Sequence, residues 1–169
     1  MTEAVLQNAF QALASGDRGQ IAAVFTADAE WLSPPGNATS IALNATHHMV
    51  GRDAIARFFA GDFPRLFARD LAVTFNHFHA DGAWGVAEVT VAATLANGNH
   101  YAIDYCFVFE LRGNLIHRVR EYTDTARGHR MVFMGGRLCP ERRVMWVAVG
   151  YWWPHGALGC LPSVRVRRG

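Results

Sequence analysis

The sequence predicts an α+β domain in which N-terminal helices pack on a curved antiparallel sheet. Apolar residues recur at helical spacing in the first third of the chain, whereas residues 71–125 alternate in the way that strands do. Asp81-Gly82 and Asn97-Gly98 are strong hairpin signals between those strands. Helices followed by a meander of strands make an α+β domain.

Two helices open the chain. The first has an apolar side formed by Val5, Leu6, Ala9, Phe10 and Leu13. Ser15-Gly16 ends this helix, and Asp17 caps a second, short helix with Gln20 in the capping-box position. A brief strand at residues 29–33 follows and is broken by Pro34-Pro35-Gly36.

Residues 36–50 are polar and irregular, and they are long enough to form a flap over a site. Gly51 begins a third helix that ends near Gly61, before Pro64. Four strands are then predicted, at residues 71–79, 84–95, 100–111 and 115–125. Residues 1–134 therefore form one domain.

Composition and charge narrow the possible functions. Of the 169 residues, 51% are hydrophobic, so a sizeable core can be buried. The net charge of +2 combines two unlike parts, since residues 1–136 carry ten Arg against thirteen Asp and Glu, and residues 137–169 carry six Arg against one Glu. The domain is mildly acidic, and we expect no nucleic-acid partner.

Cysteine usage and the N-terminus favour a reduced, cytoplasmic protein. The three cysteines form no CxxC pair, which indicates neither a zinc site nor a disulfide framework. Residues 1–10 lack the basic start and long apolar run of a secretory signal. We predict a cytoplasmic location and no metal site.

The composition changes abruptly at residue 135. Three of the five Trp and two of the three Cys lie in residues 135–169. The apolar run at residues 144–153 is too short to cross a bilayer, so membrane association is not expected. We predict an atypical C-terminal extension that is poorly ordered or packs as an irregular strand.

The predicted turns decide which side chains share a face of the sheet. A two-residue turn at Asn97-Gly98 sets Thr90 opposite Tyr105 and Glu88 opposite Phe107. All four side chains then lie on one face. A one-residue change in a turn would move a strand's side chains to the other face.

The next hairpin adds the last strand to that face. Closing it over residues 112–114 sets Tyr105 opposite Glu121 and Phe107 opposite Val119. The Asp81-Gly82 turn adds Phe75, opposite Glu88. We expect the helices to cover this face, because its aromatic side chains need burial.

The opposite face is too apolar for a surface in contact with water. By the same register it carries Val89, Val91, Cys106, Val108, Ile116 and Tyr122 beside Asp104, Arg118 and Arg120. A large exposed apolar area marks an interaction surface. The simplest second layer is another subunit, so we predict a homodimer through this outer face.

Three segments carry a resemblance to a known family. FTADAEWLSPPG follows the second helix, GRDAIARFF opens the third, and VREYTDT closes the last strand. In this order of elements, residues 3–134 resemble SnoaL-like proteins of the nuclear transport factor 2-like superfamily. The resemblance implies a cone-shaped roll that encloses an apolar pocket. That scaffold hosts isomerases, polyketide cyclases, epoxide hydrolases, dehydratases and non-catalytic modules.

Two catalytic patterns of such relatives are incomplete in this chain. Ketosteroid isomerases place their base Asp where this chain has Ser33, their oxyanion-hole Asp at Phe107 and their helix-1 Tyr near Ala9. Limonene-type epoxide hydrolases use Arg-x-Asp where this chain has Glu88-Val89-Thr90, plus an Asp where it has Glu121. Only Glu121 keeps a carboxylate of the right kind.

Glu121 is the predicted proton-transfer group, and Glu88 and Tyr105 are predicted to polarise or orient the substrate. A carboxyl group among apolar side chains has its pKa raised by desolvation, which suits acid–base chemistry near neutral pH. The tyrosine hydroxyl can donate to a developing oxyanion. In the alternative interpretation, Glu121 pairs with an Arg and Tyr105 merely fills the wall. The predicted substrate-binding residues are Trp31, Ser33, Phe59, Phe75, Thr90, Phe107 and Val119.

We therefore expect a small-molecule enzyme of SnoaL-like type. Its chemistry would be cofactor-independent acid–base catalysis by an isomerase, cyclase, dehydratase or hydrolase on an apolar cyclic or polyketide-like substrate. The alternative is a non-catalytic ligand-binding or dimerisation module on the same fold. His77 and His117 are interpreted as packed histidines, because no H-x-E or HExxH spacing supports a metal.

Overall fold

The computed structural model describes residues 2–134. The helices are α1 (Thr2–Ser15), α2 (Arg18–Ala23), α3 (Ala38–Leu43), α4 (Arg52–Arg57), α5 (Phe63–Leu66) and α6 (Thr125–Phe133), and a π-helical segment, Phe58–Asp62, joins α4 to α5. The strands are β1 (Phe25–Leu32), β2 (His48–Val50), β3 (Phe67–Asp81), β4 (Trp84–Leu95), β5 (His100–Arg112) and β6 (Leu115–Thr123). The predicted extension, residues 135–169, lies outside the described residues.

The six strands form one curved, unclosed sheet in the order β2-β1-β6-β5-β4-β3. Strands β3 to β6 are the predicted antiparallel meander, and β2 pairs with β1 antiparallel. Strand β1 pairs with β6 in parallel, so the first strand of the chain lies beside the last. The α+β fold class is confirmed.

Helix α1 packs closely on strand β4. Leu6 and Ala9 on its apolar side are buried. At Gly85 the approach is so close that a Cβ atom there would lie 2.5 Å from Cδ1 of Leu6. Any larger residue at this position would require the Leu6 side chain to move. Helix α2 begins with the predicted cap, in which the side chain of Asp17 accepts a 2.8 Å hydrogen bond from the backbone N–H of Gln20.

Three helices, α3, α5 and α6, were not predicted from the sequence. The third predicted helix was expected to end near Gly61, but it continues through the π-helical segment into α5, which has Pro64 in its first turn. Residues 36–50, interpreted as irregular, contain α3, which begins where Oδ1 of Asn37 accepts from the backbone N–H of Ser40 at 2.9 Å. Helix α6 begins in the same way, where Asp124 accepts from the backbone N–H of Arg127 at 2.9 Å. Both caps give the exposed N–H groups of a first turn a partner, which allows short helices to form.

The predicted register of the β4–β5 hairpin is wrong. Leu95 and Asn99 close the turn, the Leu95 N–H donating to the Asn99 carbonyl at 2.8 Å, so the loop has three residues and not two. As a result Val89, predicted to face outward, lies opposite Tyr105. A shift of one residue moves every side chain of a strand to the other face.

Glu88 and Thr90 consequently lie on the outer face. Glu88 is opposite Cys106 and exposed, and Thr90 is opposite Asp104. His77 is opposite Glu88 and exposed on the outer face, so the interpretation of it as a packed histidine is wrong. The pairing of β3 with β4 has a bulge between Phe75 and His77. Because a bulge interrupts the alternation of faces along a strand, Phe75 stays on the inner face, opposite Val89, although His77 lies on the outer face.

The β5–β6 hairpin keeps Val119 and Glu121 on the predicted inner face although its register differs, but Ile116, predicted to face outward, is fully buried in the core. Its turn has two residues, with Gly113 at φ 63°, and a bulge follows between Glu110 and Leu111. The two changes shift the pairing by two residues, so that Phe107 and not Tyr105 lies opposite Glu121. An even shift leaves all three side chains on the inner face.

The core lies between the helices and the inner face of the sheet. Its largest fully buried side chains are Phe25, Phe109, Leu6, Ile21, Ile55, Leu95, Ile103, Ile116, Val89 and Val119. On the outer face, Trp84 and Tyr122 are 46% and 54% exposed. The observed register takes Val89, Val91 and Ile116 away from the predicted outer face and puts Glu88 and Thr90 on it. Trp84 and Tyr122 remain exposed aromatic side chains there, and the homodimer through this face stays a prediction.

Candidate functional site

A cavity of about 600 Å³ lies between the helices and the inner face of the sheet. This volume suits a drug-sized ring compound, because ligand pockets commonly measure about 300–1,000 Å³. The aromatic side chains of its lining are Phe10, Trp31, Phe58, Phe59, Phe63, Phe75, Phe78, Tyr105 and Phe107. The cavity therefore has a largely aromatic wall.

Glu121 reaches this cavity from strand β6 and is held by two donors. Its Oε2 accepts a 3.1 Å hydrogen bond from Nε1 of Trp31 and a 2.8 Å hydrogen bond from Oγ of Ser33. Trp31 lies opposite Val119 in the parallel β1–β6 pair. Because side chains two residues apart on a strand share a face, Trp31, Ser33 and Glu121 project to the same side.

Burial raises the pKa of the Glu121 carboxyl group, and the hydrogen bonds from Trp31 and Ser33 oppose the rise. Within residues 2–134 no arginine forms an ion pair with Glu121. The alternative interpretation, in which Glu121 pairs with an Arg, therefore finds no support there. The raised pKa means that this carboxyl group holds its proton more readily than an exposed glutamic acid does, which suits a proton-transfer group.

The two oxygens of Glu121 differ in their surroundings. Trp31 and Ser33 both bond to Oε2, and an indole N–H can only donate, so Oε2 stays an acceptor in either protonation state. In the described part of the chain Oε1 has no hydrogen-bond partner, and no side-chain oxygen or nitrogen there is both fully buried and unpartnered. Oε1 is thus the oxygen that can exchange a proton with a ligand.

Tyr105 lines the cavity and is hydrogen-bonded to a second tyrosine. Its hydroxyl contacts the hydroxyl of Tyr101, which is 2% exposed. Burial, with the nearby Glu121 charge adding to it, raises the pKa of Tyr101 to about 12 and that of Tyr105 well above its usual range. Both hydroxyls therefore stay protonated at neutral pH and act as donors.

Seven of the ten predicted site residues line the cavity: Trp31, Ser33, Phe59, Phe75, Tyr105, Phe107 and Glu121. The other three do not. Glu88 and Thr90 face outward, where Thr90 donates to Asp104 at 2.6 Å and accepts from Asn76 at 3.0 Å. Val119 is fully buried in the core behind the wall.

Sequence reasoning missed Tyr101 and much of the cavity's polar rim. Tyr101 stands four residues before Tyr105 on β5, and this even spacing puts both on one face, which is a signal that could have identified it. The rim includes Gln7 and Gln11 of α1 together with Asn37, Thr39, Ser40 and Thr46. The last four belong to the segment predicted as a flap, which does border the cavity.

Other types of site have no structural support within residues 2–134. No three His, Cys, Asp or Glu side chains come together there as a metal site requires. The absence of a metal and of an organic cofactor nevertheless stays a prediction. Among the same residues no helix is long and apolar enough to cross a bilayer.

Comparison with solved structures identifies the fold. An NTF2-like protein of unknown function from Burkholderia pseudomallei K96243 superposes with a TM-score of 0.68 at 17% identity, covering 78% of this chain and 97% of the other. TerC co-crystallised with polyporic acid gives 0.67 at 18% identity, with 78% and 97% covered. An LEH-like epoxide hydrolase from M. tuberculosis gives 0.61 at 19% identity, with 78% and 88% covered. The cone-like fold implied by the resemblance is confirmed.

Sequence comparison identifies the family. No protein of curated function matches the chain. The family described as the SnoaL-like domain matches residues 6–119, which include both β1 with Trp31 and most of β6. This match spans well over half of the 169 residues. The chain therefore belongs to the SnoaL-like domain family.

Proposed function

We propose that the protein is a small-molecule enzyme in which Glu121 transfers a proton to or from an apolar, ring-containing substrate. The observation that carries this proposal is the environment of the Glu121 carboxyl group. Burial raises its pKa, one oxygen is fixed by Trp31 and Ser33, and the other has no partner in residues 2–134. Such a group is suited to proton transfer.

The donors to Oε2 make proton transfer possible without rearrangement of the site. When Oε1 gives up its proton, Trp31 and Ser33 stabilise the resulting carboxylate through bonds that already exist. When Oε1 regains the proton, Oε2 remains their acceptor. Groups that need no reorganisation during the reaction contribute most to catalysis.

Tyr105 and the aromatic wall would orient the substrate. A neutral tyrosine hydroxyl can donate to a carbonyl oxygen on which negative charge develops as Glu121 removes a proton from the adjacent carbon. Phe59 and Phe107 both contact Trp31, whose ring centroid lies 4.7 Å from that of Phe59 and 5.7 Å from that of Phe107. These rings offer flat apolar surface to a cyclic or polyketide-like substrate. The proposed step uses no metal or organic cofactor.

The similar structures support a small-molecule site without defining the reaction. One is an LEH-like epoxide hydrolase and another was co-crystallised with polyporic acid. At 18–19% identity they share the fold, so the reaction class stays open among isomerase, cyclase, dehydratase and hydrolase.

Hydrogen exchange tests the proposal before the natural substrate is known. A panel of cyclic ketones, enones, epoxides and aromatic polyketide intermediates is incubated with the full chain in D₂O, and deuterium incorporation and product formation are followed by NMR. We expect at least one compound to exchange or react with the wild type and to lose about 10²-fold or more of that rate with Glu121→Gln.

The matched control is Glu88→Gln, which makes the same chemical change on the outer face. Its rate should equal that of the wild type. A rate that survives in Glu121→Gln would remove Glu121 from the mechanism.

The second candidate function is a non-catalytic ligand-binding module. It is favoured by the outward position of Glu88 and Thr90, which leaves Glu121 and the Tyr105 hydroxyl as the ionisable groups deep in the cavity. Tight binding of a panel compound with no exchange and no product would support this alternative. The homodimer through the outer face and the cytoplasmic location also stay proposals.

A further inference from the structure

The ionisable side chains that line the cavity are acidic or neutral. Within residues 2–134 they are Glu3, Tyr105 and Glu121, and no Arg or His lines it. Glu3 is exposed in the first turn of α1, so its charge is in contact with water. Glu121 is therefore the charge that a ligand inside the cavity meets.

The absence of a basic residue from the lining of the cavity does not reflect a lack of arginine in this domain. Arg118 pairs with Glu30 at 3.3 Å and with Glu110 at 3.2 Å. Arg112 lies near the β5–β6 turn and pairs with Asp28 at 3.1 Å. An anionic ligand in the cavity would find no cationic side chain of residues 2–134 in its lining.

Aromatic rings line the cavity that the Glu121 carboxyl group reaches. Trp31 donates to this carboxyl group, Phe59 and Phe107 contact Trp31, and Tyr105 stacks on Phe107 with centroids 5.5 Å apart and planes 2° from parallel. The faces of aromatic rings attract cations through their quadrupole. The rings and the carboxylate thus favour the same sign of ligand charge.

The free energy needed to remove the Glu121 carboxylate from water is spent when the protein folds, so a ligand does not have to supply it on binding. A cation that enters the cavity adds an opposite charge at short range in a poorly solvated site, where Coulomb attraction is stronger than in water. An anion adds a like charge and meets two donors, Trp31 and Ser33, that are already engaged by Oε2. A neutral hydroxyl group is free of both effects.

We infer that the cavity selects its ligand by charge: among compounds with one ring skeleton it binds the protonated amine most tightly, the neutral alcohol next and the carboxylate least. The substrate of the proposed reaction accordingly enters as an uncharged or cationic molecule. This inference rests on the proposed function only in placing the substrate in the same cavity.

Three naphthalene derivatives test the inference: 2-naphthylmethylammonium, 2-naphthylmethanol and 2-naphthoate. Their dissociation constants for the full chain are measured by calorimetry at pH 8 and low salt. We expect the ammonium compound to bind at least tenfold more tightly than the carboxylate, with the alcohol between them. Equal affinity for the carboxylate and the ammonium compound would overturn the inference.

Glu121→Gln removes the charge and keeps the size of the side chain. It should weaken binding of the ammonium compound at least tenfold while the alcohol changes less than threefold. Glu88→Gln, on the outer face, should leave all three affinities unchanged. An unchanged ratio of ammonium to alcohol binding in Glu121→Gln would contradict the role of Glu121.

A measurement on the wild type covers the case in which Glu121→Gln does not fold. Affinity for the ammonium compound should rise with pH as Glu121 ionises, while affinity for the alcohol should not. The other ionisable groups near the ligand do not explain such a rise, because Tyr105 and Tyr101 stay protonated and the charge of Glu3 is screened by water. A flat profile for the ammonium compound would contradict the inference.

The outcomes also separate this inference from the proposed catalysis. Equal binding of the three ligands, together with hydrogen exchange that depends on Glu121, would reject charge selection alone. The predicted order of affinities without any exchange or turnover would reject catalysis alone.

Discussion

The indole N–H of Trp31 donates a 3.1 Å hydrogen bond to Oε2 of Glu121, although the two residues are 90 positions apart in sequence. The parallel pairing of β1 with β6 brings them together. Ser33, two residues after Trp31, donates to the same oxygen. One strand therefore supplies both donors that fix the orientation of the carboxyl group.

Ser33→Ala should raise the pKa of Glu121 further, because it removes a hydrogen bond that favours the ionised form. The free energy of unfolding should fall by about 1 kcal/mol, as one donor to a buried acceptor is lost. NMR titration of the glutamate carboxyl carbons measures the first quantity and urea denaturation the second. A lower pKa in the variant would contradict the described geometry.

The stability of the wild type relative to Glu121→Gln should depend on pH. The pKa of Glu121 is raised in the folded state above the ordinary value of 4.5, so its contribution to stability is fully present below about pH 4.5 and is lost as pH rises through the folded-state pKa. Glu121→Gln should therefore gain stability relative to the wild type as pH increases. Urea denaturation at pH 4, 6 and 8 measures the trend, and a difference that runs the opposite way would show that the pKa is lowered.

Val119→Ala should destabilise the fold without altering the ligand site. Val119 is fully buried and lies in the core, not in the cavity lining. Removing two buried methyl groups should cost about 2 kcal/mol in the free energy of unfolding. Affinity for 2-naphthylmethanol, measured below the unfolding transition, should stay within twofold of the wild type. A large loss of affinity would instead place Val119 in the ligand site, as the sequence predicted.

Gly85→Ala should destabilise the contact between α1 and β4. Its new Cβ would lie 2.5 Å from Cδ1 of Leu6 in the present geometry, so the buried Leu6 side chain has to move. Overpacking of this kind costs about 1–3 kcal/mol. A double-mutant cycle with Leu6→Ala should show that the two changes are coupled, because the smaller side chain relieves the clash. Additive free energies would contradict the close approach.

The sequence predicted the position of Glu121 through two errors that cancelled. The β5–β6 turn is one residue shorter than predicted, and the bulge adds one residue on β6, opposite Glu110 and Leu111. Either change alone would move Glu121 to the outer face. Together they shift the pairing by two residues, which keeps Glu121 on the inner face. A bulge leaves no clear sequence signal when its residues are ordinary strand formers. The prediction therefore had the correct face with an incorrect register.

The β4–β5 turn shows the opposite outcome. Asn97-Gly98 is compatible with a two-residue turn and with a three-residue loop, and the difference of one residue moved Glu88 and Thr90 to the outer face. Local patterns also could not reveal that β1 pairs with β6, because that contact joins distant parts of the chain. The two donors to Glu121 depend on this pairing.

The most direct test of the account is the pKa of Glu121 in the wild-type protein, measured by NMR titration of carbon-13-labelled glutamate with Glu121→Gln to assign the signal. The account predicts a midpoint clearly above 4.5, because burial of the carboxyl group outweighs the hydrogen bonds from Trp31 and Ser33. A midpoint at or below 4.5 would contradict the claim that Glu121 is a buried acid suited to proton transfer.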